Sequence, residues 1–258
     1  MKRGKVLQRI DSLQNHRVRV WKKLKTKKGR NKQGAFLIEG EHLVEEALRS
    51  NVKVMTIIID ERRVDIPFLA REIPIVQVSK SVFREISDTD TPQGIIAVCE
   101  KPKETLLPFS EGKFLLLDEV QDPGNVGTMI RTADCAGFDA VILGKGCADL
   151  YNPKTIRSTQ GSLFHLPVFQ QELAETIQAL KKRQITVFGT ALKKATDYRR
   201  IEKRSSFALL VGNEGSGVKQ HYLELCDEIV YIPIYGIYGQ AESLNVAVAA
   251  GILMYSLQ

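Results

Sequence analysis

The chain has 258 residues, of which 43% are hydrophobic and 26% charged, a composition typical of soluble globular proteins. It excludes a collagen-like or largely disordered chain, and no apolar run approaches the ~20 residues that span a bilayer. The N-terminal segment MKRGKVLQRIDSLQNHR lacks the apolar core of a secretory signal, so we expect a cytoplasmic protein outside the membrane.

The formal net charge of +7 is concentrated at the N-terminus. Residues 1–34 contain thirteen Lys and Arg residues and one acid, Asp11, whereas the remaining chain has a net charge of −5. We therefore predict a basic N-terminal arm over residues 1–34 that neutralises nucleic-acid phosphates, with Trp21 stacking on a base. The alternative is a solvated basic tail, and charge alone does not separate RNA from DNA.

A first folded domain is predicted over residues 35–100. Apolar residues at helical spacing predict a helix within 36–50, and a second helix is expected over 81–88. Segments rich in β-branched residues predict strands at 54–60, 73–79 and 94–100. This alternation indicates a small α/β sandwich. The segment 101–113 has two prolines and no sustained period, so it is predicted to be a linker.

A second domain is predicted over residues 114–258. Its apolar strands are expected at 114–120, 140–144, 185–192, 207–215 and 228–234. Its helices are expected at 126–138, 171–183, 216–226 and 242–257. Nearly continuous apolar strands that alternate with helices indicate a parallel sheet covered on both faces.

The cysteines do not form a metal-binding pattern. Cys99, Cys135, Cys147 and Cys226 lie far apart in the chain, without a CxxC pair. We therefore expect no metal, and thiols that remain reduced.

Three predicted loops after strands combine glycines with polar side chains: DPGNVGTMIR (122–131), GNEGSGV (212–218) and IPIYGIYGQAESLN (232–245). In open parallel α/β sheets, ligands bind beyond the carboxyl ends of the strands, and glycines allow the backbone to approach a ligand closely. The loops thus predict a site for an adenine-nucleotide-type ligand. GNEGSG is not a GxGxxG pattern and no Walker lysine follows it, which disfavours a dinucleotide or ATP site.

The order and spacing of segments 125–143, 209–218 and 232–253 resemble those of the SpoU/TrmH-type RNA 2′-O-methyltransferases of the SPOUT superfamily. Residues 12–40 also resemble the start of the substrate-binding extension that many members carry. The resemblance implies a C-terminal methyltransferase domain with a deep trefoil knot, bound S-adenosylmethionine and a homodimer. It also implies an N-terminal α/β domain similar to ribosomal protein L30e that binds the RNA substrate.

The resemblance also implies a set of catalytic residues, namely Asn125, Arg131, Glu214, Ser243 and Asn245. In the family the arginine is proposed to activate the ribose hydroxyl. Because a guanidinium has a pKa above about 12 and no acceptor atom, we prefer Arg131 as a clamp on the adjacent phosphate. The alternative for Arg131 is a surface salt bridge. For Glu214 the alternative is the N-cap of a helix near residue 215, and for Ser243 and Asn245 it is the N-cap of the last helix.

Cofactor contacts in the family are largely made by the main chain. This implies Gly212, Ile232 and Leu244 as cofactor-binding residues, with Thr190 as a weaker candidate. The triplet repeat IYGIYG at 234–239 lengthens this loop relative to other members, so the register of the contacts between 234 and 242 stays open.

We therefore expect an S-adenosylmethionine-dependent RNA ribose 2′-O-methyltransferase, with structured ribosomal RNA favoured and transfer RNA as the alternative substrate. A catalytically silent RNA-binding or ribosome-assembly factor of the same fold is a competing hypothesis. The joint presence of the five catalytic candidates argues against it, because a binding module needs no such set.

Overall fold

The computed structural model describes residues 6–63, 73–102, 111–236 and 243–258. The chain divides into two compact units: the first comprises Met1–Lys103 and Asp149–His165, and the second Glu104–Ala148 and Leu166–Gln258. Within the described residues, no helix is both long enough and apolar enough to cross a membrane.

In chain order, the described strands and helices are β1 (Val6–Ile10), α1 (His16–Lys23), α2 (Lys27–Gln33), β2 (Ala35–Glu39), α3 (Glu41–Arg49), β3 (Val54–Asp60), β4 (Ile75–Val78), α4 (Lys80–Ile86), β5 (Ile95–Glu100), β6 (Lys113–Leu117), α5 (Pro123–Cys135), β7 (Ala140–Leu143), α6 (Pro153–Thr159), β8 (Val168–Gln170), α7 (Leu173–Lys182), β9 (Thr186–Thr190), β10 (Thr196–Asp197), β11 (Phe207–Val211), α8 (Gln220–Leu223), β12 (Glu228–Tyr231) and α9 (Val246–Ser256). Most of the predicted linker, residues 103–110, lies outside the described residues.

The first unit contains a mixed five-stranded sheet in the order β1-β4-β3-β5-β2. Strands β1, β4 and β3 are parallel, and β5 is antiparallel to both β3 and β2. The strand predicted at 54–60 is confirmed as β3. The prediction of a helix within 36–50 was partly wrong, because the first residues of this segment form strand β2. Gly40, with φ of +104°, makes the turn from β2 into α3, a conformation that glycine adopts without strain.

Residues 6–34 do not form a separate arm: β1, α1 and α2 are part of the first unit. Val18, Trp21 and Leu24 recur at helical spacing and are buried against Phe83 of α4 and the sheet. Trp21 is only 4% exposed, and the Arg17 guanidinium lies 5.2 Å from the centre of its ring. The prediction that Trp21 stacks on a base was therefore wrong, because hydrophobic burial placed this ring in the core.

A segment from the later part of the chain also belongs to the first unit. Within Asp149–His165, the Asp149 carboxylate lies 2.7 Å from the guanidinium of the buried Arg30. The ring of Tyr151 lies 4.5 Å from that of Phe36, and Ile156 of α6 is buried in the same core. The compact units thus differ from the predicted division, in which all residues from 114 onward form the second domain.

The second unit contains a seven-stranded sheet in the order β10-β12-β9-β11-β6-β7-β8, and every pairing in it is parallel. This confirms the predicted parallel sheet. The central strands β6 and β11 are almost entirely buried. Helices α7 and α8 pack on one face of the sheet, while α5 and α9 pack together and contact β7 and β11 respectively. The five predicted strands are present, whereas β8 and β10 were missed.

Candidate active site

A cavity of about 470 Å³ lies at the carboxyl ends of β9, β11 and β12 in the second unit. Its walls come from the segments that follow these three strands and from the start of α9. Both its volume and its position at the ends of parallel strands are typical of small-molecule sites. The loops that the sequence singled out after β11 and β12 thus meet around one cavity.

All four residues predicted to bind a cofactor line this cavity, namely Thr190, Gly212, Ile232 and Leu244. The Thr190 hydroxyl donates a hydrogen bond to the Leu210 carbonyl, 3.1 Å away, which holds the end of β9 against β11. Gly212 has no room for a side chain, since a Cβ there would lie 2.1 Å from the Gly217 carbonyl carbon. Only glycine therefore lets this loop fold back so tightly.

Three of the predicted catalytic side chains are joined by hydrogen bonds. The Asn125 amide donates to Glu214 Oε1 at 2.9 Å, and the Asn245 amide donates to Asn125 Oδ1 at 3.1 Å. Asn245 Oδ1 also accepts from the backbone N–H groups of Ala247 and Val248. Asn245 is therefore both the N-cap of α9 and a member of this network, which we call the Asn–Glu network (Asn125, Glu214 and Asn245).

The local sequence of α5 explains how Asn125 reaches Glu214. Asp122 caps the helix by accepting from the Asn125 backbone N–H at 2.9 Å, and Pro123 occupies its first turn, a position where a missing N–H costs little. The helix therefore begins directly after β6 and its short loop. Asn125 lies in its first turn, and Arg131 follows six residues later.

Glu214 is held in position by hydrogen bonds. Its carboxylate accepts from the backbone N–H groups of Gln121 and Asp122 at 3.3 and 3.2 Å. Burial opposes its ionisation, but the hydrogen bonds from Asn125 and the backbone outweigh burial and lower the Glu214 pKa. The alternative hypothesis, in which Glu214 is an N-cap, requires a helix that begins near residue 215. Helix α8 begins only at Gln220, so Glu214 does not cap a helix.

Two acidic residues at the end of β6, which sequence reasoning missed, hold the cavity loop. Asp118 is 1% exposed, and its Oδ2 accepts from the Lys219 backbone N–H at 2.9 Å. Glu119 accepts from the Lys219 ammonium at 2.7 Å through its side chain, and from the Asn213 amide at 2.9 Å through its carbonyl. The loop between Asn213 and Lys219 is thus pinned at both ends. The available signal was a pair of acids directly after the apolar run FLLL of β6.

The remaining catalytic candidates lie outside the Asn–Glu network. Ser243 lines the cavity. Arg131 is exposed on α5, and among the described residues it has no hydrogen bond or ion pair. The salt-bridge alternative for Arg131 therefore finds no partner in that part of the chain.

The predictions about the IYGIYG repeat and about metal binding concern further parts of the chain. Residues 237–242, which include much of the IYGIYG repeat, lie outside the described residues. In the described segments, no group of three or more His, Cys, Asp or Glu residues is arranged to hold a metal ion.

Comparisons with known proteins match both units of the chain. Residues 112–255 match the SpoU rRNA Methylase family, and residues 15–97 match the MRM3-like substrate binding domain. The chain is 51% identical over 253 residues to the 23S rRNA (guanosine(2553)-2′-O)-methyltransferase RlmP of Bacillus subtilis, an alignment that covers 98% of this chain and 100% of that protein. It is also 29% identical over 297 residues to the mitochondrial rRNA methyltransferase 3A of Danio rerio, with 93% of this chain and 67% of that protein covered.

Solved structures align with nearly the full length of the chain. The AdoMet-bound rRNA methyltransferase from Sinorhizobium meliloti aligns with a TM-score of 0.86 and 30% identity, covering 96% of both chains. The SpoU methyltransferase AviRb from Streptomyces viridochromogenes, in complex with AdoMet, aligns with a TM-score of 0.84 and 30% identity, covering 95% of this chain and 97% of that one. The resemblance stated from the three motifs is confirmed, and the chain belongs to the SpoU rRNA methylase family.

Proposed function

We propose that this protein transfers a methyl group from S-adenosylmethionine to a ribose 2′-hydroxyl of 23S ribosomal RNA. The observation that carries the proposal is the Asn–Glu network, which joins side chains from three separate motifs beside one cavity. The 51% identity to RlmP, whose name specifies guanosine 2553 of 23S rRNA, supports the same reaction and substrate.

The cavity fits the proposed methyl donor. Its lining combines apolar residues such as Val211, Ile232 and Leu253 with Gly212 and the acidic Glu214. Two structural relatives are described as AdoMet complexes, which supports the same cofactor here. When bound, S-adenosylmethionine supplies a methyl group that its sulfonium already activates. Gly212, Ile232, Leu244 and Thr190 are the residues we expect to hold it.

The remaining task of the protein is to position the ribose and to stabilise charge on its oxygen. Glu214 orients the Asn125 amide, and Asn125 in turn fixes Asn245. A carboxylate whose pKa is lowered is a poor proton acceptor for a hydroxyl. We therefore assign Glu214 an orienting role rather than that of a general base.

Arg131 is suited to binding the phosphate next to the target ribose. Its guanidinium is exposed and has no partner among the described residues, and a planar guanidinium binds phosphate oxygens in pairs. Placed there, it stabilises negative charge that develops on the ribose oxygen. Ser243, which lines the cavity, is proposed as a further polar contact.

Several structural expectations belong to this proposal. We assign RNA binding to the first unit, which matches a substrate-binding domain, as an L30e-like domain. Methyl transfer is assigned to the second unit, as a deep trefoil knot that acts in a homodimer. The exposed apolar side chains of α9 support the dimer, and a bacterial ribosomal RNA substrate would place the protein in the cytoplasm.

The test is methyl transfer from labelled S-adenosylmethionine to a hairpin transcript that contains the guanosine at 23S position 2553. We expect incorporation into this transcript, and none into a matched transcript that already carries a 2′-O-methyl group there. Transfer RNA transcripts serve as the second substrate class.

Each contrary result has a distinct meaning. Incorporation into transfer RNA alone would identify a tRNA methyltransferase. Incorporation into the premethylated transcript would show that a base or another position is the acceptor. Binding of the hairpin without any methyl transfer would identify a catalytically silent RNA-binding factor.

A further inference from the structure

A second basic segment, to which the proposed function assigns no role, lies in the second unit. Residues 192–204, which we call the basic rim, have the sequence LKKATDYRRIEKR, with six Lys and Arg residues and two acids. The rim includes the two-residue strand β10, at one edge of the parallel sheet, and a short 3₁₀ turn, Tyr198–Arg200. Its charge contrasts with the net −5 of the chain after residue 34.

The basic rim begins at the mouth of the cavity. Leu192 and Lys193 are among the residues that line the cavity, together with Glu214 and Ser243. A ribose that enters this mouth brings its flanking phosphates with it. The surface next to the mouth therefore decides whether the RNA strand is attracted or repelled.

Two cations of the rim are free to meet such phosphates. Lys194 and Arg200 are exposed, and within the described part of the chain neither makes a hydrogen bond or an ion pair. The acid between them, Asp197, is already neutralised, because Arg199 forms an ion pair with its carboxylate. The second acid of the rim, Glu202, is exposed, and with six cations against two acids the rim keeps a net charge of +4.

An exposed aromatic ring accompanies these charges. Tyr235 is 69% exposed, and the Arg199 guanidinium lies 5.5 Å from the centre of its ring. The preceding residue, Ile234, lines the cavity. Exposed aromatic rings beside cationic side chains are the combination that binds single-stranded nucleic acid, through base stacking and phosphate contacts.

We propose that the basic rim and Tyr235 bind the RNA strand next to the methylated nucleotide. Lys194 and Arg200 contact its phosphates, and a neighbouring unpaired base stacks on Tyr235. The proposal rests on the proposed function and adds to it an RNA-binding surface on the catalytic unit. A second copy of the chain is a poorer occupant, because it would bring no net negative charge to these cations.

The experiment measures binding of the hairpin transcript to the full-length protein at several salt concentrations. We compare Lys194→Gln/Arg200→Gln with a control, Lys181→Gln/Lys182→Gln, that removes the same charge from α7. The rim variant should bind RNA more weakly, and its log–log salt slope should be shallower by roughly 1.5, the change expected for two lost phosphate contacts. The control should retain the wild-type slope.

Tyr235 is tested with two substitutions. Tyr235→Ala should raise the dissociation constant for RNA about tenfold, as for loss of one stacked base, whereas Tyr235→Phe should bind like the wild type. Neither Tyr235 nor the two substituted cations line the cavity. S-adenosylmethionine affinity, measured by calorimetry, should therefore be unchanged in every variant.

The outcomes separate this inference from the proposed function. If the wild type methylates the hairpin but the rim variant keeps both the RNA affinity and the salt slope of the control, the inference is wrong. If Tyr235→Ala changes the sedimentation coefficient and leaves RNA binding intact, the surface is a protein interface instead. Failure of the wild type to methylate the hairpin would refute the proposed function. Weaker RNA binding by the rim variant would still support the inference that the basic rim binds RNA.

Discussion

Asn125 joins parts of the chain that are far apart in sequence. Its partners, Glu214 and Asn245, are 89 and 120 residues away. An asparagine side chain has both donor and acceptor atoms, so it can bind a carboxylate on one side and an amide on the other. An aspartate at this position would instead place two carboxylates together. The presence of asparagine at position 125 is thus explained by its hydrogen bonds with Glu214 and Asn245, and not by its position in α5.

The protonation of Glu214 predicts a pH effect on stability. A carboxylate whose pKa is lowered by folding stabilises the folded state above its unfolded pKa, about 4.3. This stabilisation is lost as the pH falls through the lower folded value. Glu214→Gln should therefore lower the unfolding free energy at neutral pH, and lower it less at pH 3. Since Glu214 is exposed, the effect should stay below about 1 kcal/mol.

Denaturant unfolding at both pH values checks this effect. Glu175→Gln, an exposed acid on α7, is the control and should show no such difference. An equal destabilisation by Glu214→Gln at both pH values would contradict the role of the ionised carboxylate.

Arg131 should act on the rate of methyl transfer and not on donor binding. Arg131→Ala should lower the single-turnover rate by ~10²–10³, the range for loss of one electrostatic stabiliser. Arg131→Lys keeps the charge but not the planar fork, so it should recover only part of the rate. The assay uses saturating S-adenosylmethionine and RNA, with Lys182→Ala as the exposed control. A nearly normal rate for Arg131→Ala would remove it from the catalytic residues.

At the scale of single elements, α9 is unusual because it is apolar on every side. Ala247, Ala250, Leu253 and Met254 are buried against the unit, yet Val248 and Tyr255 are each 54% exposed. A helix that is hydrophobic all round is normally covered. The same surface continues along α5 past Thr128 and Thr132 to Asn125 and Asn245. The partner surface of a homodimer would therefore adjoin the Asn–Glu network.

This arrangement predicts that Val248→Glu dissociates the proposed dimer and lowers methyl transfer with it. A charge in an apolar interface is not compensated when the interface closes. Sedimentation velocity at micromolar concentration should give a dimer for the wild type and a monomer for the variant. Leu13→Glu, at an exposed leucine of the first unit, should remain dimeric. A wild-type protein that sediments only as a monomer would refute this role of α9.

The elements also show what could be predicted from sequence. The five long strands of the second unit have continuous apolar runs, and all were predicted. Strands β8 and β10, with three and two residues, are too short to show a period. In the site, glycine-rich loops after the strands predicted where a ligand binds, and the family resemblance supplied the cofactor-binding candidates. The contacts of Asp118 with Lys219 could not be predicted, because they join residues 101 positions apart.

At the scale of the whole molecule, charge was a misleading guide to domain structure. Residues 1–34 have a net charge of +12, which suggested an arm, yet their apolar residues Val18, Trp21 and Leu24 lie in the core of the first unit. The lysines lie on the outside of the same helices. One segment thus supplies both core packing and a basic surface, as amphipathic helices commonly do. Deleting residues 1–34 would consequently test folding and not RNA binding.

Substitution of the exposed lysines tests RNA binding by the first unit without removing its core. Lys23, Lys27, Lys28 and Lys32 are exposed around α1 and α2, and none has an anionic partner among the described residues. Changing all four to glutamine should weaken binding of the 23S hairpin and make the log–log salt slope shallower by about 3, if each lysine contacts one phosphate. The melting temperature and S-adenosylmethionine affinity should stay at wild-type values, because exposed lysines contribute little to stability and the cavity lies in the second unit. Equal salt slopes for the wild type and the fourfold variant would show that these helices make no phosphate contacts, and would leave the basic rim as the surface to which RNA binding is assigned.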